Sequence, residues 1–384
     1  MSATIYSETI SPPGKSLAML ITAIAGLAIA AGFVFYNLIT NGHAAFNTNS
    51  TGIVWGLPIV AYDYLMLTST GLAMLASLPL VFGVQSLAPV QRRCLWLALA
   101  TLIGAVAVLF LELGHPFRAL YAVHLNLQTS SPLFWKVLLV TVYAPLLFLL
   151  LVMMDFNRHR TELPALARPL GLLVMLSALA ITLLAGTVYG MMAMRPLWFG
   201  GEIPFVFWVE SLLGAVAFIV FFSYWASGFS AGRLPTELHR LFAGPLGLGF
   251  AGLLVAHLVL HVGRTATGLW SNAEGLQVWP HMVTSLPYHL ALWGGIVLPL
   301  VLMAVPAWRR QSPAQLLAAI LVIVGLLISR YEFVVGGQMV PLFKGNWAPD
   351  LLPYAPSATE WVVMLVGIFL AVVVFWFGEW RQAQ

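Results

Sequence analysis

Charge is what this chain has least of. Charged residues fill 8% of its 384 positions, against roughly 25% in a soluble globular domain. That scarcity excludes a water-facing surface over most of the molecule. Cysteine is nearly absent as well, with Cys94 the one thiol. One thiol holds no iron–sulfur cluster, structural zinc or internal disulfide. Electrons, if the chain handles any, come from a partner or a non-cysteine cofactor. The first apolar run lacks an Arg/Lys-rich start and is too long for a signal-peptide core, so it reads as a retained helix. No linker, low-complexity tract or soluble domain interrupts the rest of the chain.

What is present is apolar length. Hydrophobic residues make up 61% of the chain, and a spanning helix needs about 20 of them in a row. Ten runs qualify: Ser16–Thr40, Ile53–Gln85, Arg92–Leu113, Pro132–Asp155, Arg168–Met192, Ile203–Ser227, Glu237–Val262, His281–Pro306, Pro313–Tyr331 and Ser357–Glu379. None alternates apolar and polar with period two, as barrel strands do, so helices are the spanning structure. The expected fold is an all-α integral membrane protein with ten transmembrane helices. Residues 1–15 read as a tail on the membrane surface and 16–384 as a single membrane domain.

Lys and Arg set the expected orientation. With the N-terminus and even-numbered turns on one side, that side carries eleven of the 17 cations: Lys15, Arg92, Arg93, Arg158, Arg160, Arg168, Arg233, Arg240, Arg309, Arg310 and Arg381. The other side carries six: Arg118, Lys136, Arg195, Arg264, Arg330 and Lys344. The richer side, with both termini, should be cytoplasmic. Positive-inside loops account for the basic pI, and no nucleic acid is implied.

The remaining ionisable residues gather toward the other, outer side. Asp63 sits some ten residues into helix two, roughly 15 Å down at a rise of about 1.5 Å per residue. Glu112 ends helix three, and Glu210 lies inside helix six. His257 and His261 occupy the outer part of helix seven, and His289 that of helix eight. Arg330 and Glu332 close helix nine, and Glu360 opens helix ten. The inner-half charges Arg92, Asp155, Arg168, Arg240, Arg309 and Glu379 read as helix-end residues able to snorkel. Positive-inside sorting does not explain acids and histidines gathered outside, and intramembrane charge marks a functional site by default. The outer loops 41–52, 114–131, 195–202, 263–280 and 332–356 are also the longer ones, as a partner-binding face would have.

The densest segment is Leu111-Glu112-Leu113-Gly114-His115-Pro116-Phe117-Arg118, followed by His124, Asn126 and Ser131-Pro132. Gly114 suits a helix C-cap and Pro116 blocks continuation. Val54-Trp55-Gly56-Leu57-Pro58 opens helix two. Arg330-Tyr331-Glu332-Phe333-Val334-Val335-Gly336-Gly337-Gln338 and Tyr354-Ala355-Pro356-Ser357-Ala358-Thr359-Glu360 come later. With these passages the chain resembles the NrfD-like (polysulfide-reductase membrane subunit) family over about residues 52 to 365. Its ten helices are similar to those of hydrogenase and sulfur-metabolising complex subunits. His115 stands where the family's turn usually has Arg, and Arg118 could supply that cation.

The resemblance implies a core of two consecutive four-helix bundles, helices two to five (52–192) and six to nine (203–335), with helices one and ten (357–379) flanking. It implies a haem-free, quinone-interacting anchor subunit of a respiratory complex in the bacterial inner membrane. Electrons pass between menaquinone or ubiquinone and a periplasmic multi-cluster iron–sulfur protein. A further molybdopterin, hydrogenase or multihaem cytochrome subunit handles the final substrate. Asp63 and Glu210, five and six residues after Pro58 and Pro204, form a faint internal echo.

Quinone reduction takes two electrons and two protons, so the ring needs donors that also deliver protons. Histidine and apolar-site carboxyls suit that task. The expected site lies between helices two, three and four near the outer interface. Asp63 and Glu112 carry protons there, and His115 or His124 bonds a carbonyl. Tyr62 adds a donor, Trp55 and Tyr121 line the ring, and Arg118, Asn126 and Lys136 complete the binding set. An inner proton route would use Thr68, Ser69, Thr70 and Tyr143. One alternative is haem b between His257 and His289, with His261 and His281 a shallower pair. A secondary transporter and a purely structural anchor are the others. Gly247-x-Gly-x-x-Gly252 lies in helix seven without a preceding strand, so it reads as helix packing.

Overall fold

The computed structural model describes residues 15–49, 52–157, 164–271, 274–342 and 349–383. Among these residues every regular element is a helix, and ten helices are long and apolar enough to cross a membrane. They are α1 (Lys15–Asn41), α2 (Leu57–Phe82), α3 (Gln91–Glu112), α4 (Pro132–Phe156), α5 (Ala167–Gly190), α6 (Ile203–Ala226), α7 (Pro245–Trp270), α8 (Leu286–Ala304), α9 (Ser312–Met339) and α10 (Ala358–Ala383). The start signals are local. Proline occupies the first turn of α2, α4, α6, α7 and α9, where its missing N–H costs nothing. Gly83 ends α2 with φ +71°, the left-handed region that favours glycine.

Two four-helix groups form the core. Helices α2–α5 pack in a ring, each against its neighbours, and α6–α9 do the same. The groups meet where α2 packs on α6 and α9, and α5 on α6. Gly71 of α2 lies directly on the Ser211 carbonyl of α6, so the two backbones touch with no room for a side chain between them. Helices α2 and α6 are the most enclosed, with 78% and 72% of their apolar windows buried. Charges carried within them are therefore sealed inside protein. Helix α10 packs on α3, and α1 lies outside α10 with 17% of its window buried.

Helix α8 is not uniform. Its middle, Leu290–Val297, is wound as a π-helix between α-helical ends. There Gly295 meets Gly325 of α9 backbone to backbone. Two of the shorter helices lie at the end opposite the chain termini, here the loop face. Pro116–Leu125 bridges α3 and α4, and Val278–Val283 precedes α8.

Three sequence expectations change. Helix α7 continues to Trp270 and α9 to Met339, past the expected ends at Val262 and Tyr331. Arg330 therefore stands inside α9, 3% exposed, rather than closing it. The inner-end charges Arg92, Asp155 and Glu379 do not snorkel. Arg92 pairs with Asp155 at 2.8 Å and Arg93 with Glu379 at 2.7 Å, tying α3 to α4 and α10. Once paired, neither member has to reach water.

Candidate functional site

Asp63 faces inward because α2 is surrounded on every side. Its carboxylate, 2% exposed, is held by two other helices. Lys136 Nζ of α4 lies 3.3 Å from Oδ1, and the Tyr189 hydroxyl of α5 donates to Oδ2 at 2.5 Å. The ammonium also stands 4.9 Å from the Tyr62 ring centre. A buried carboxylate with a cation and a hydroxyl on its separate oxygens is charge-balanced and hydrogen-bonded, the condition for tolerating it in an apolar interior.

Above this cluster lies an aromatic roof. Trp55 stacks on Trp198, with ring centres 5.2 Å apart, and Tyr189 meets both rings edge-on. Gln338 of α9 fixes the roof. Its Oε1 accepts from the Val54 and Trp55 amides, and its Nε2 donates to the Trp55 carbonyl, all at 2.9 Å. The Trp198 indole donates to the Phe333 carbonyl at 2.6 Å.

A second clamp holds the start of α2. The Tyr354 hydroxyl accepts from the Leu57 amide at 2.8 Å and donates to Glu360 Oε1 at 2.6 Å. Glu360 Oε2 in turn accepts from the Ser357 amide at 2.7 Å, while the Ser357 hydroxyl accepts from the Glu360 amide, a capping box that starts α10. Burial first, and then the Glu360 carboxylate, push the Tyr354 phenol well above its ordinary range. It remains a donor at every physiological pH. At the same rim, Arg195 donates to the Gln338 and Val340 carbonyls, and partial burial lowers its guanidinium from its ordinary value.

The second four-helix group holds its own buried acid. Glu210 of α6 pairs with Arg330 of α9. The guanidinium lies 3.8 Å over the Phe207 ring centre and 5.5 Å from that of Phe333. His257 Nε2 of α7 stands 4.0 Å from the other Glu210 oxygen. Both His257 ring nitrogens and His261 Nε2 are buried without a hydrogen-bond partner.

Sequence reasoning expected one constellation, and the structure separates it. Asp63, Tyr62 and Lys136 come together, and half-buried Trp55 joins them through Tyr189. Glu112, at the end of α3, is half-buried and close enough to Glu360 for their charges to interact. His115, Arg118 and Asn126 are exposed on the loop face, and Tyr121 is 54% exposed. Tyr121 therefore lines no enclosed ring site. Pro116 starts a helix that rides over the bundle's end instead of dropping between α3 and α4. The His124 side chain lies outside the described residues, as does Lys344.

The histidine pairs also separate. His257 is 2% exposed beside Glu210, whereas His289 is exposed on the outside of α8. One faces the bundle interior and the other its surface, so they do not frame a common haem site. His261 packs against the Tyr288 ring, 5.2 Å between centres, and His281 is exposed.

Tyr189, Trp198 and Gln338 escaped sequence reasoning as site residues. Aromatic residues are common at membrane interfaces, and nothing local marks Tyr189 as the partner of an acid 126 positions away. The inner hydroxyls are engaged locally. Ser69 donates to the Ala98 carbonyl at 2.7 Å and lies 3.0 Å from the Tyr143 hydroxyl.

Comparison with known proteins agrees with this architecture. The family described as "Polysulphide reductase, NrfD" matches residues 45–342. The C subunit of selenate reductase from Mesobacillus selenatarsenatis is 23% identical, over 82% of this chain and 83% of its own. A putative dimethyl sulfoxide reductase membrane subunit of Halobacterium salinarum is also 23% identical, over 82% and 79%. The Hdr-like menaquinol oxidoreductase integral membrane subunit of Archaeoglobus fulgidus is 21% identical, over 92% and 90%. The chain is a multi-pass membrane protein that belongs to the NrfD polysulphide reductase family.

Proposed function

We propose that this chain is the quinone-interacting membrane subunit of an oxidoreductase complex. It exchanges electrons between membrane quinone and an iron–sulfur protein docked on the loop face. The observation that carries the reading is the Asp63–Lys136–Tyr189 cluster beneath the Trp55–Trp198 roof. The relatives named as reductase membrane subunits and as a menaquinol oxidoreductase subunit support the same class, with menaquinone the first candidate. The terminal substrate belongs to a further subunit.

Each residue has a task in that chemistry. Trp55, half-buried and stacked on Trp198, offers a flat aromatic wall above Asp63. Glu112 and Asp63 accept the protons that a quinol releases, or return them to a quinone. Lys136 and Tyr189 let Asp63 change protonation with a counter-charge and a donor already in place, so little rearrangement is needed. His115, Arg118, Tyr121 and Asn126, exposed on the loop face, meet the quinone on its way in or the docked partner. His124 stays in the set as a carbonyl ligand. Cys94 is buried and alone, so the one-electron carrier belongs to the partner, on the periplasmic side. The loop face is then periplasmic and both termini cytoplasmic, as the eleven-to-six cation split favours.

Quinol-dependent reduction of partner clusters in the reconstituted complex tests the reading. Asp63→Asn should lower that rate by about 100-fold or more, the low end of what a positioned acid–base group contributes. Full turnover in Asp63→Asn, with Glu112→Gln equally active, would remove the proton role from this cluster.

A further inference from the structure

The second four-helix group carries an open cleft that the first site does not use. It has a volume of about 480 Å³, within the range of small-molecule sites. It lies at the loop face between the approach to α6, the outer turns of α7 and the short helix Val278–Val283. Leu197, Phe199, Val259, Leu276 and Trp279 form largely apolar walls. Arg264 and Glu202 supply the charged groups, and Thr267, whose hydroxyl donates to the Gly263 carbonyl, stands at the rim. The lip faces outward, with Val259 65% and Phe199 54% exposed.

The position repeats the first half. There the short helix Pro116–Leu125 follows the end of α3 and packs on α3 and α4. Here the start of α6, the end of α7 and a short helix before α8 surround the cleft. The echo of Asp63 in Glu210 thus extends from a single acid to a whole helix–helix–short-helix arrangement.

The polar pair selects the ligand. Arg264 Nη2 donates to the Leu197 carbonyl at 2.9 Å. Its Nε stands 3.9 Å from Glu202 Oε1, an ion-pair distance too long for a hydrogen bond. The cleft therefore holds a donor and an acceptor that are not committed to each other and sum to no net charge. A phosphate headgroup would meet the Glu202 carboxylate. A neutral ring bearing oxygens, with a hydroxyl to give to Glu202 and an oxygen to accept from Arg264, fits both. Behind Arg264 lies His261, whose buried Nε2 has no partner. We infer that this cleft is a second binding site for an apolar-tailed quinol-class molecule, served by Arg264 and Glu202. The ligand class rests on the quinone reading above; the site itself does not.

A photoreactive azido-benzoquinone with a decyl tail, applied to the complex in nanodiscs and mapped by peptide mass spectrometry, tests this. Label is expected on segments 196–202 and 259–279. Gly263 lines the cleft, and a Cβ there meets nothing within 4 Å. Gly263→Phe should fill the space and cut that label about tenfold, leaving label near Trp55 unchanged. Thr267→Phe, from the cleft's rim, serves if Gly263→Phe fails to assemble. Cleft label that survives both fillings overturns the site. Label near Trp55 alone also overturns it, while leaving the proposed function standing. Label at neither place sinks both. Loss of co-purifying cardiolipin on filling, without quinone label, would make the cleft a lipid site and overturn the assignment.

Discussion

The two halves of the molecule bury an acid at matching places and finish it differently. Asp63 follows Pro58 by five residues and Glu210 follows Pro204 by six, each on the most enclosed helix of its group. Around Asp63 both oxygens are occupied, by a lysine and a tyrosine, under a roof of indoles. Around Glu210 an arginine takes one oxygen, while a histidine with two idle nitrogens stands off the other. The first cluster is a closed unit beneath the Trp55–Trp198 stack. The second is an open-ended one beside a cleft. The difference teaches that repeated architecture fixes where an acid sits, and the neighbouring helices decide what it can do.

The comparison breaks most readily at Arg330. Arg330→Leu leaves Glu210 buried without its cation, which should cost about 3–5 kcal/mol. Thermal unfolding in detergent should show a large loss, and Glu210→Gln/Arg330→Leu together should recover most of it. Lys136→Leu makes the parallel test for Asp63. Its loss should be smaller, because the Tyr189 hydroxyl still holds the other oxygen.

Tyr189→Phe removes a hydrogen bond to a charged group, an effect of about 1.5–3 kcal/mol. Stability should fall by that amount, and quinol-dependent turnover should drop by roughly tenfold, less than for loss of the acid itself. His257→Phe should leave that turnover within about twofold if the halves differ as described, since an idle imidazole gives up no bond. Gln338→Leu strands the Val54 and Trp55 amides and should cost about 1–3 kcal/mol, read as loosened Trp55 fluorescence and a lower melting temperature.

The smallest expected effect is at the Tyr354 clamp. Its phenol lies above the usual value near 10, so the folded state favours the protonated form. That stabilisation is complete below about pH 10 and is lost as pH rises beyond it, where the unfolded tyrosine ionises and the folded one does not. Tyr354→Phe should flatten this alkaline slope in a stability-against-pH titration.

Much of the fold was legible in the residues. Apolar length marked all ten helices, and proline and glycine marked most of their starts. The Glu112–Arg118 turn pointed to the family, and Asp63 stood out as a buried acid. Pairing was not legible. Lys136 and Arg330 looked like outer cations because local sequence records a charge and not the carboxylate facing it from another helix. For the same reason α7 and α9 seemed to stop at Val262 and Tyr331, beside Arg264 and Arg330. Both helices run on, since each guanidinium is buried against aromatic rings and acceptors supplied elsewhere in the fold. Tyr189 and Trp198 carried no signal at all, their roles being set wholly by where α5 and the loop after it pack.

In the function proposed above, the Asp63 cluster, not the Glu210 cluster, handles the protons of quinone exchange. The direct test is quinol-driven reduction of the partner's clusters in liposomes, comparing Asp63→Asn with Glu210→Gln at equal assembled complex. Asp63→Asn should lose about a hundredfold or more, and Glu210→Gln much less. Full activity in Asp63→Asn, with loss confined to Glu210→Gln, would contradict it.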